Sequence, residues 1–174
     1  MVNYEIKIKD HFRLLSHLIL GTIMILAAAY YAFYTFGYDK ALIVIFGGIY
    51  ILNFLPTVYL HIEYYFVNKN NTVEIDDFNK IIIINGLEVP FNSIEKIIFI
   101  MPPVWHRRGF FRFFSFEDYH YASIIFKDET IYFFTSILTP SVEDAFRNIS
   151  TIPKEKKIVV IASIYLKKLL SFAI

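Results

Sequence analysis

The sequence predicts an α+β membrane protein, in which a two-helix transmembrane hairpin precedes a seven-stranded β-barrel or sandwich capped by a C-terminal α-helix. Three observations predict this class. Two apolar runs near the N-terminus, residues 14–38 and 41–62, contain no Lys, Arg, Asp or Glu. Short apolar or alternating runs separated by polar turns follow, which is typical of strands. An amphipathic pattern after residue 138 then indicates a further helix.

Each apolar run is long enough to span a membrane as a helix. About 20 apolar residues cross a hydrocarbon core of about 30 Å. The composition agrees, because 56% of the chain is hydrophobic and the 19% that is charged lies almost entirely outside the two runs, whereas soluble domains are about 45–50% apolar. A cleaved signal peptide ending near residues 27–29 is disfavoured, because the apolar run continues past that point.

The charges beside the two runs predict the orientation of the hairpin. The N-terminal flank, residues 1–13, contains Lys7, Lys9 and Arg13, while the turn between the runs contains only Lys40. Loops rich in Lys and Arg stay on the cytoplasmic side. We therefore expect a multi-pass protein of the cell inner (cytoplasmic) membrane, with both termini cytoplasmic.

Three residues of the second run are candidates for helix packing, namely Gly47, Gly48 and Asn53. Small residues allow helices to approach closely in a membrane, and an Asn side chain forms interhelical hydrogen bonds. The alternative is a pore or substrate site at Asn53. It is disfavoured because neither run contains Asp, Glu, Lys or Arg, and charged residues within the membrane are the usual mark of an ion path.

Seven strands are predicted after the hairpin, at residues 61–68, 72–76, 80–84, 87–91, 94–101, 119–127 and 130–135. Asn85 and Gly86 lie between two apolar runs, and both accept the positive φ that a type I′ hairpin turn requires. Asp128 and Glu129 form a second tight connection, and residues 68–71 a third. This spacing of short strands is typical of a small barrel or sandwich.

A helix is predicted over residues 139–149, with Thr139 as N-cap and Pro140 at the first helical position. Its apolar stripe would cap the β-domain, which we place at residues 61–150. The tail at residues 154–174 alternates apolar segments with lysine pairs. This pattern fits either an interfacial helix on an anionic membrane or a segment packed on the domain.

Several short motifs complete this order of elements. They are VEID at 73–76 after the NKN turn at 68–70, VPF at 89–91 leading into IEKI at 94–97, KDE at 127–129 followed by IYF at 131–133, and TSIL at 135–138. Together they resemble bacterial membrane-anchored proteins with a pleckstrin-homology (PH)-like domain and an N-terminal transmembrane hairpin. The resemblance covers residues 14–150 and implies fold and membrane placement. It also implies that headgroup binding would use a basic loop between the first two strands, where this chain offers only Lys69.

The segment at residues 101–121 interleaves arginines with aromatic residues and is the candidate membrane-surface contact. Its candidate residues are Trp105, Arg107, Arg108, Phe110, Phe111, Arg112, Phe113 and Phe114. Aromatic rings partition to the headgroup level, and arginines are attracted to anionic lipids. The alternative is packing of the rings over the barrel. Nucleic acid is not expected as a partner, because the net charge is only +1.

The sequence contains no recognisable catalytic, metal-binding or cofactor-binding motif. It has no Cys, which excludes thiolate chemistry and Cys-based metal sites, and no P-loop, GxSxG or GxGxxG pattern occurs. An enzyme would have to use His106, Glu117, Asp118 and His120, whose spacing matches no known site. We therefore expect no catalytic residues, no cofactor and no metal.

These observations favour a non-enzymatic protein that presents a binding or scaffold domain at the inner-membrane surface. The expected partners are membrane lipids, a protein partner or further copies of the chain. The alternative is a small subunit of a larger membrane transport or assembly complex.

Overall fold

The computed structural model describes residues 2–103 and 114–165. Within these residues, eight strands form two sheets of four, accompanied by two long helices and one short helix. The helices are α1 (Ile8–Phe36), α2 (Lys40–Asn68) and α3 (Val142–Ala145). The strands are β1 (Val2–Tyr4), β2 (Val73–Asp76), β3 (Ile81–Ile84), β4 (Leu87–Pro90), β5 (Ile94–Met101), β6 (Tyr121–Phe126), β7 (Ile131–Thr135) and β8 (Lys154–Ile158).

The two apolar runs are helical, as predicted, and both helices extend further toward the β-domain. The carboxylate of Asp10 accepts the N–H of Lys7 at the start of α1 (3.0 Å). The predicted strand at residues 61–68 is wrong, because these residues are the last two turns of α2. Leu60, Tyr64 and Asn68 are all buried, and their spacing of four residues places them on one face of a helix.

The first sheet has the order β1-β2-β3-β4 and includes a strand that the sequence analysis missed. β1 pairs antiparallel with β2, with Val2 opposite Ile75 and Tyr4 opposite Val73. In the order of the chain, the helical hairpin therefore comes between β1 and β2, which are paired neighbours in one sheet. The β-domain does not begin at residue 61, as predicted, but takes its first strand from the residues before the hairpin.

The second sheet has the order β7-β6-β5-β8, with β8 parallel to β5. β8 belongs to the predicted tail, so this part of the tail packs on the domain. After β8 the chain runs along α2, where the Tyr64 hydroxyl donates to the carbonyl of Ala162 (2.6 Å). Residues 166–174, the rest of the tail, lie outside the described residues.

The two sheets enclose the core, and α3 closes one corner of it. The predicted helix at 139–149 is reduced to Val142–Ala145, and its N-cap is Ser141 rather than Thr139. The Ser141 hydroxyl accepts the N–H of Asp144 (3.3 Å), which fixes the start of the helix. Just after α3, the Phe146 ring packs edge-on against Phe134, with the ring centroids 5.1 Å apart.

The outer face of the second sheet is covered by a third layer, formed by α2 and the chain after β8. Ile100 and Tyr121 point away from the core between the sheets, yet both are buried. Tyr64 of α2 packs on the Tyr121 ring, with centroids 6.1 Å apart. The hairpin is thus fixed to the domain by its chain connections to β1 and β2 and by the packing of α2 on the second sheet.

The β3–β4 turn is the one predicted from Asn85 and Gly86, which have φ values of 52° and 80°. We expect Gly86→Ala to lower the free energy of unfolding by about 1–2 kcal/mol, because a Cβ is strained at this φ. Thermal unfolding of the detergent-solubilised chain would measure this. Gly47→Ala is the control, since this helical glycine has open space beside it and should not lower stability.

Candidate functional site

The N-terminal half of α1 and the C-terminal half of α2 pack on the β-domain. The other half of each helix lies clear of it. Buried side chains of α1 include Leu14 and Leu18, and burial in α2 begins at Asn53. Between Gly21 and Asn53 the large apolar side chains are mostly exposed, namely Ile23, Met24, Leu26, Tyr30, Tyr31, Tyr34, Phe36, Val44, Ile45, Ile51 and Leu52. By length and composition, both helices are able to cross a membrane.

Asn53 marks the level at which the domain first contacts α2. Its side-chain oxygen accepts the backbone N–H of Ser115 (2.7 Å). On the α1 side, a Cβ placed on Gly21 would lie 3.3 Å from the Asn53 amide nitrogen. This hydrogen bond satisfies a buried backbone donor of the domain, and the interhelical role of Asn53 stays a prediction.

On the domain side of Asn53, histidines and a buried carboxylate connect the helices to the domain. His17 of α1 pairs with Asp118. His11 of α1 lies 2.9 Å from His61 of α2, and the other ring nitrogen of His61 lies 3.0 Å from the Tyr119 hydroxyl. Burial raises the pKa of Tyr119, so this hydroxyl keeps its proton at neutral pH. The contacts fix the angle between the hairpin and the domain.

Most of the predicted membrane-surface residues lie outside the described part of the chain. These are Trp105, Arg107, Arg108, Phe110, Phe111, Arg112 and Phe113. Phe114, the last candidate, is partly buried and stacks on Phe116, with centroids 5.1 Å apart. The membrane-surface role of the set stays a prediction.

Gly47 and Gly48, the candidates for helix packing, have no atom within 4 Å of the position that a Cβ would occupy. Within the described part of the chain, α1 does not approach them closely. Close packing at these glycines would therefore need another chain or residues outside the described part.

The residues considered for catalysis form local structural bonds. Glu117 accepts the N–H of Phe114 (3.0 Å), and a ring nitrogen of His120 lies 3.0 Å from the carbonyl oxygen of Asp118. His106 lies outside the described residues. Residues 2–103 and 114–165 contain no group of three His, Cys, Asp or Glu side chains placed to hold a metal ion.

A groove that the sequence analysis did not find opens between the two sheets, at the edge opposite α3. Its volume is about 520 Å³. Its apolar lining comes from the inner faces of β3 and β4 on one side and from the β6–β7 hairpin on the other, namely Ile84, Leu87, Val89, Phe126, Ile131 and Tyr132. Leu87 is 72% exposed and Ile131 is 53% exposed. These are core-type side chains that no described part of the chain covers.

The charged residues that line the groove are of both signs. They are Lys127 and Asp128, at the β6–β7 turn, while the side chain of Glu88 on β4 points away from the groove. Hydrogen bonds from Thr130 lower the pKa of Asp128, so this carboxylate is ionised at neutral pH. Burial raises the pKa of Tyr132 to about 12, which keeps the groove floor uncharged. The lining therefore suits an apolar ligand.

The sequence profile of the PH domain family matches residues 3–145. The matched part is most of the chain and contains β1, both long helices and both sheets as far as α3. The chain therefore belongs to the PH domain family, whose members are typically binding modules for lipids or proteins and not catalysts. No curated protein and no solved structure matches it.

Proposed function

We propose that this protein is a membrane-anchored, non-catalytic binding module. In this proposal the hairpin crosses the inner membrane and the PH-like domain lies on its cytoplasmic surface, where it binds lipid headgroups or a protein partner. The observation that carries the proposal is the exposed apolar surface of the hairpin between Gly21 and Asn53. Such a large exposed apolar surface is unfavourable in water and is normal for lipid-facing helices.

The helix lengths indicate where the membrane surface would lie. Residues 22–36 of α1, which stand clear of the domain, span only about 22 Å at 1.5 Å per residue. A hydrocarbon core is about 30 Å thick, so this part alone is too short. The whole uncharged part of α1, residues 14–36, spans about 34 Å. A thickness of about 30 Å corresponds to about 20 helical residues, so the hydrocarbon boundary would lie between Leu14 and Gly21 on α1 and between Asn53 and Ile62 on α2.

This boundary brings part of the β-domain to the headgroup level. Ser115 contacts Asn53 at the height of Gly21, which is the membrane-side limit of this range. The chain just before Ser115 is the arginine–aromatic segment. Its position in the sequence supports the proposal that Trp105, Arg107, Arg108 and Phe110–Phe114 contact lipid headgroups.

Cysteine labelling would test the membrane topology, and the natural absence of Cys makes single-cysteine variants easy to read. We expect Tyr38→Cys, in the turn between the helices, to react with a membrane-impermeant maleimide on intact cells. Asn70→Cys, after α2, should react only after permeabilisation. Both positions are exposed. Labelling of Tyr38→Cys only after permeabilisation would contradict the anchoring proposal.

Tryptophan fluorescence would test the headgroup contact, because Trp105 is the single tryptophan of the sequence. In vesicles that contain lipids spin-labelled near the headgroup, we expect strong quenching of its emission, since indole rings partition to this level. Lipids labelled at the end of the acyl chain are the control and should quench less. Equal, weak quenching by both lipids would count against the headgroup contact.

A second candidate function is that of a small subunit in a larger membrane complex. The open space beside Gly47 and Gly48 favours it, because small residues on a lipid-facing surface allow another helix to approach. Crosslinking from Leu52→Cys in the membrane would distinguish a second copy of the chain from a different subunit. A variant with Gly47→Leu should lose the crosslink.

A further inference from the structure

The groove opens at the end of the domain that is farther from the proposed membrane. Its lining includes Asn85, whose side chain bonds to Asn71 (3.0 Å) and to the N–H of Thr72 (2.9 Å), just after α2. From Asn53 to the end of α2 at Asn68 the helix rises about 22 Å. If the hairpin is in the membrane as proposed above, the groove faces the aqueous phase. Lipids of the anchoring membrane are then poorly placed to fill it.

One side of the groove is a free strand edge, because β4 is at the edge of its sheet and pairs only with β3. In this hairpin the Phe91 N–H donates to the Lys80 carbonyl (2.9 Å). Hydrogen-bonded pairs alternate along an antiparallel ladder, so Val89 and Leu87 also bond to β3. The N–H and C=O of Glu88 therefore point outward. Pro90, the next outward residue, has no N–H, which limits pairing at this edge to a short segment.

The side chains and the edge together define a geometry for an extended ligand. A partner residue paired with the backbone of Glu88 would direct its own side chain away from the groove, as Glu88 does. Its two neighbours would point inward, beside Leu87 and Val89, because side chains alternate along a strand.

We propose that the groove binds a short extended segment of a partner protein, which has two apolar side chains two residues apart. The segment pairs with the backbone of Glu88 and inserts its apolar side chains between β4 and the β6–β7 hairpin. This inference deepens the proposed function and rests on it for the orientation of the groove toward the aqueous phase.

The test uses the full chain in lipid nanodiscs and a fluorescein-labelled peptide of sequence KKVTVKK. We expect saturable binding by fluorescence anisotropy, at least tenfold stronger than that of the peptide KKSTSKK, which keeps the lysines and lacks the two apolar side chains. Leu87→Lys and Ile131→Lys should each weaken binding about tenfold or more, because they place a cation in the apolar groove. Phe78→Lys is the matched control. Phe78 is 93% exposed and lies outside the groove, so this change should alter binding less than twofold.

Amide hydrogen exchange gives a second measurement at Glu88, whose backbone would pair with the peptide. The amide of Glu88 should become protected when KKVTVKK binds, while the amide of Phe78 should not change. Binding that survives both Leu87→Lys and Ile131→Lys would overturn the inference. So would binding that rises tenfold after deletion of residues 166–174, because the chain's own tail would then be the occupant. Displacement of the bound peptide by phosphatidylglycerol vesicles would also overturn it, because a lipid would then be the occupant.

The two proposals can fail separately. Correct cysteine topology with no valine-dependent binding would overturn the groove inference alone. Valine-dependent binding together with labelling that places Tyr38→Cys and Asn70→Cys on the same side would overturn the proposed function alone.

Discussion

Deletion of residues 1–6 is expected to prevent stable folding of the β-domain. These residues precede the hairpin in the chain, whereas all other described strands of the domain follow it. They contain β1, which covers the edge of β2. The Tyr4 ring packs edge-on against Phe134 of the second sheet, with centroids 5.2 Å apart. We expect a loss of about 3–5 kcal/mol, out of a total stability of about 5–15 kcal/mol for a typical domain.

Thermal unfolding of the detergent-solubilised chain, with and without residues 1–6, would measure this loss. Asn3→Thr is the matched control, because it changes an exposed side chain of β1 and keeps the strand. A synthetic peptide of residues 1–6, added in trans, should restore part of the lost stability. An unchanged melting temperature after the deletion would show that β1 contributes nothing to the fold.

Residues 61–150 expressed alone would lose strands from both sheets. This fragment lacks β1, and it lacks β8 and the Ala162 carbonyl that bonds to Tyr64. The edges of both sheets would be left open at the same time. We therefore do not expect the fragment to fold, and binding studies need the full chain.

The parts of the fold that could be predicted are those with strong local patterns. Long uncharged runs predict the two helices, and Asn85 with Gly86 predicts a turn whose positive φ values the structure shows. β1 is three residues long, and every residue of β8 is exposed. Neither has an alternating pattern that a window of sequence can detect. Both exist because a distant strand offers them a partner.

The end of α2 shows the limit of reading periodicity in a short window. Residues 61–68 contain aromatic and β-branched side chains, which are common in strands, and the predicted strand was wrong for this reason. The decisive signal is the spacing of Leu60, Tyr64 and Asn68, which continues the helical face of the preceding run. Asn68 ends that face by donating to the Phe133 carbonyl (2.9 Å) and accepting from the Thr135 hydroxyl (2.6 Å).

The candidate site was only partly accessible to sequence analysis. The apolar hairpin is a property of continuous sequence and could be read directly. The groove requires β4 and the β6–β7 hairpin, which belong to different sheets, to come together, and nothing local indicates which end of a sandwich stays open. One local signal is present: Leu87 is a large apolar residue that directly follows the turn at Asn85 and Gly86, and it is left exposed.

The position of the hairpin changes what the PH-like fold implies for this chain. The resemblance placed a headgroup-binding loop between the first two strands, at a turn with only Lys69. In the structure the first two strands are β1 and β2, and the connection between them is the hairpin itself. The part of the domain that a basic loop would occupy thus holds two apolar helices. This supports anchoring by membrane insertion in place of headgroup recognition at that loop.

Tyr64→Ala is expected to separate the hairpin from the domain and to be the most damaging single substitution in α2. Tyr64 is fully buried, packs on Tyr119 with centroids 5.4 Å apart, and donates to the Ala162 carbonyl. Truncation of a large buried ring costs about 3–5 kcal/mol. For a chain of this size, that corresponds to a fall of roughly 6–20 °C in melting temperature, measured on the detergent-solubilised chain.

Tyr64→Phe divides this effect into its two causes. It keeps the ring and removes only the hydroxyl, so the loss should be about 1–3 kcal/mol, the cost of leaving the buried Ala162 carbonyl unpaired. Tyr30→Ala is the matched control, because Tyr30 is 74% exposed on the part of α1 clear of the domain; it should change stability by less than about 0.5 kcal/mol. If Tyr64→Ala were as mild as Tyr30→Ala, the packed face between α2 and the second sheet would not fix the hairpin to the domain, and the chain connections at β1 and β2 would have to do so alone.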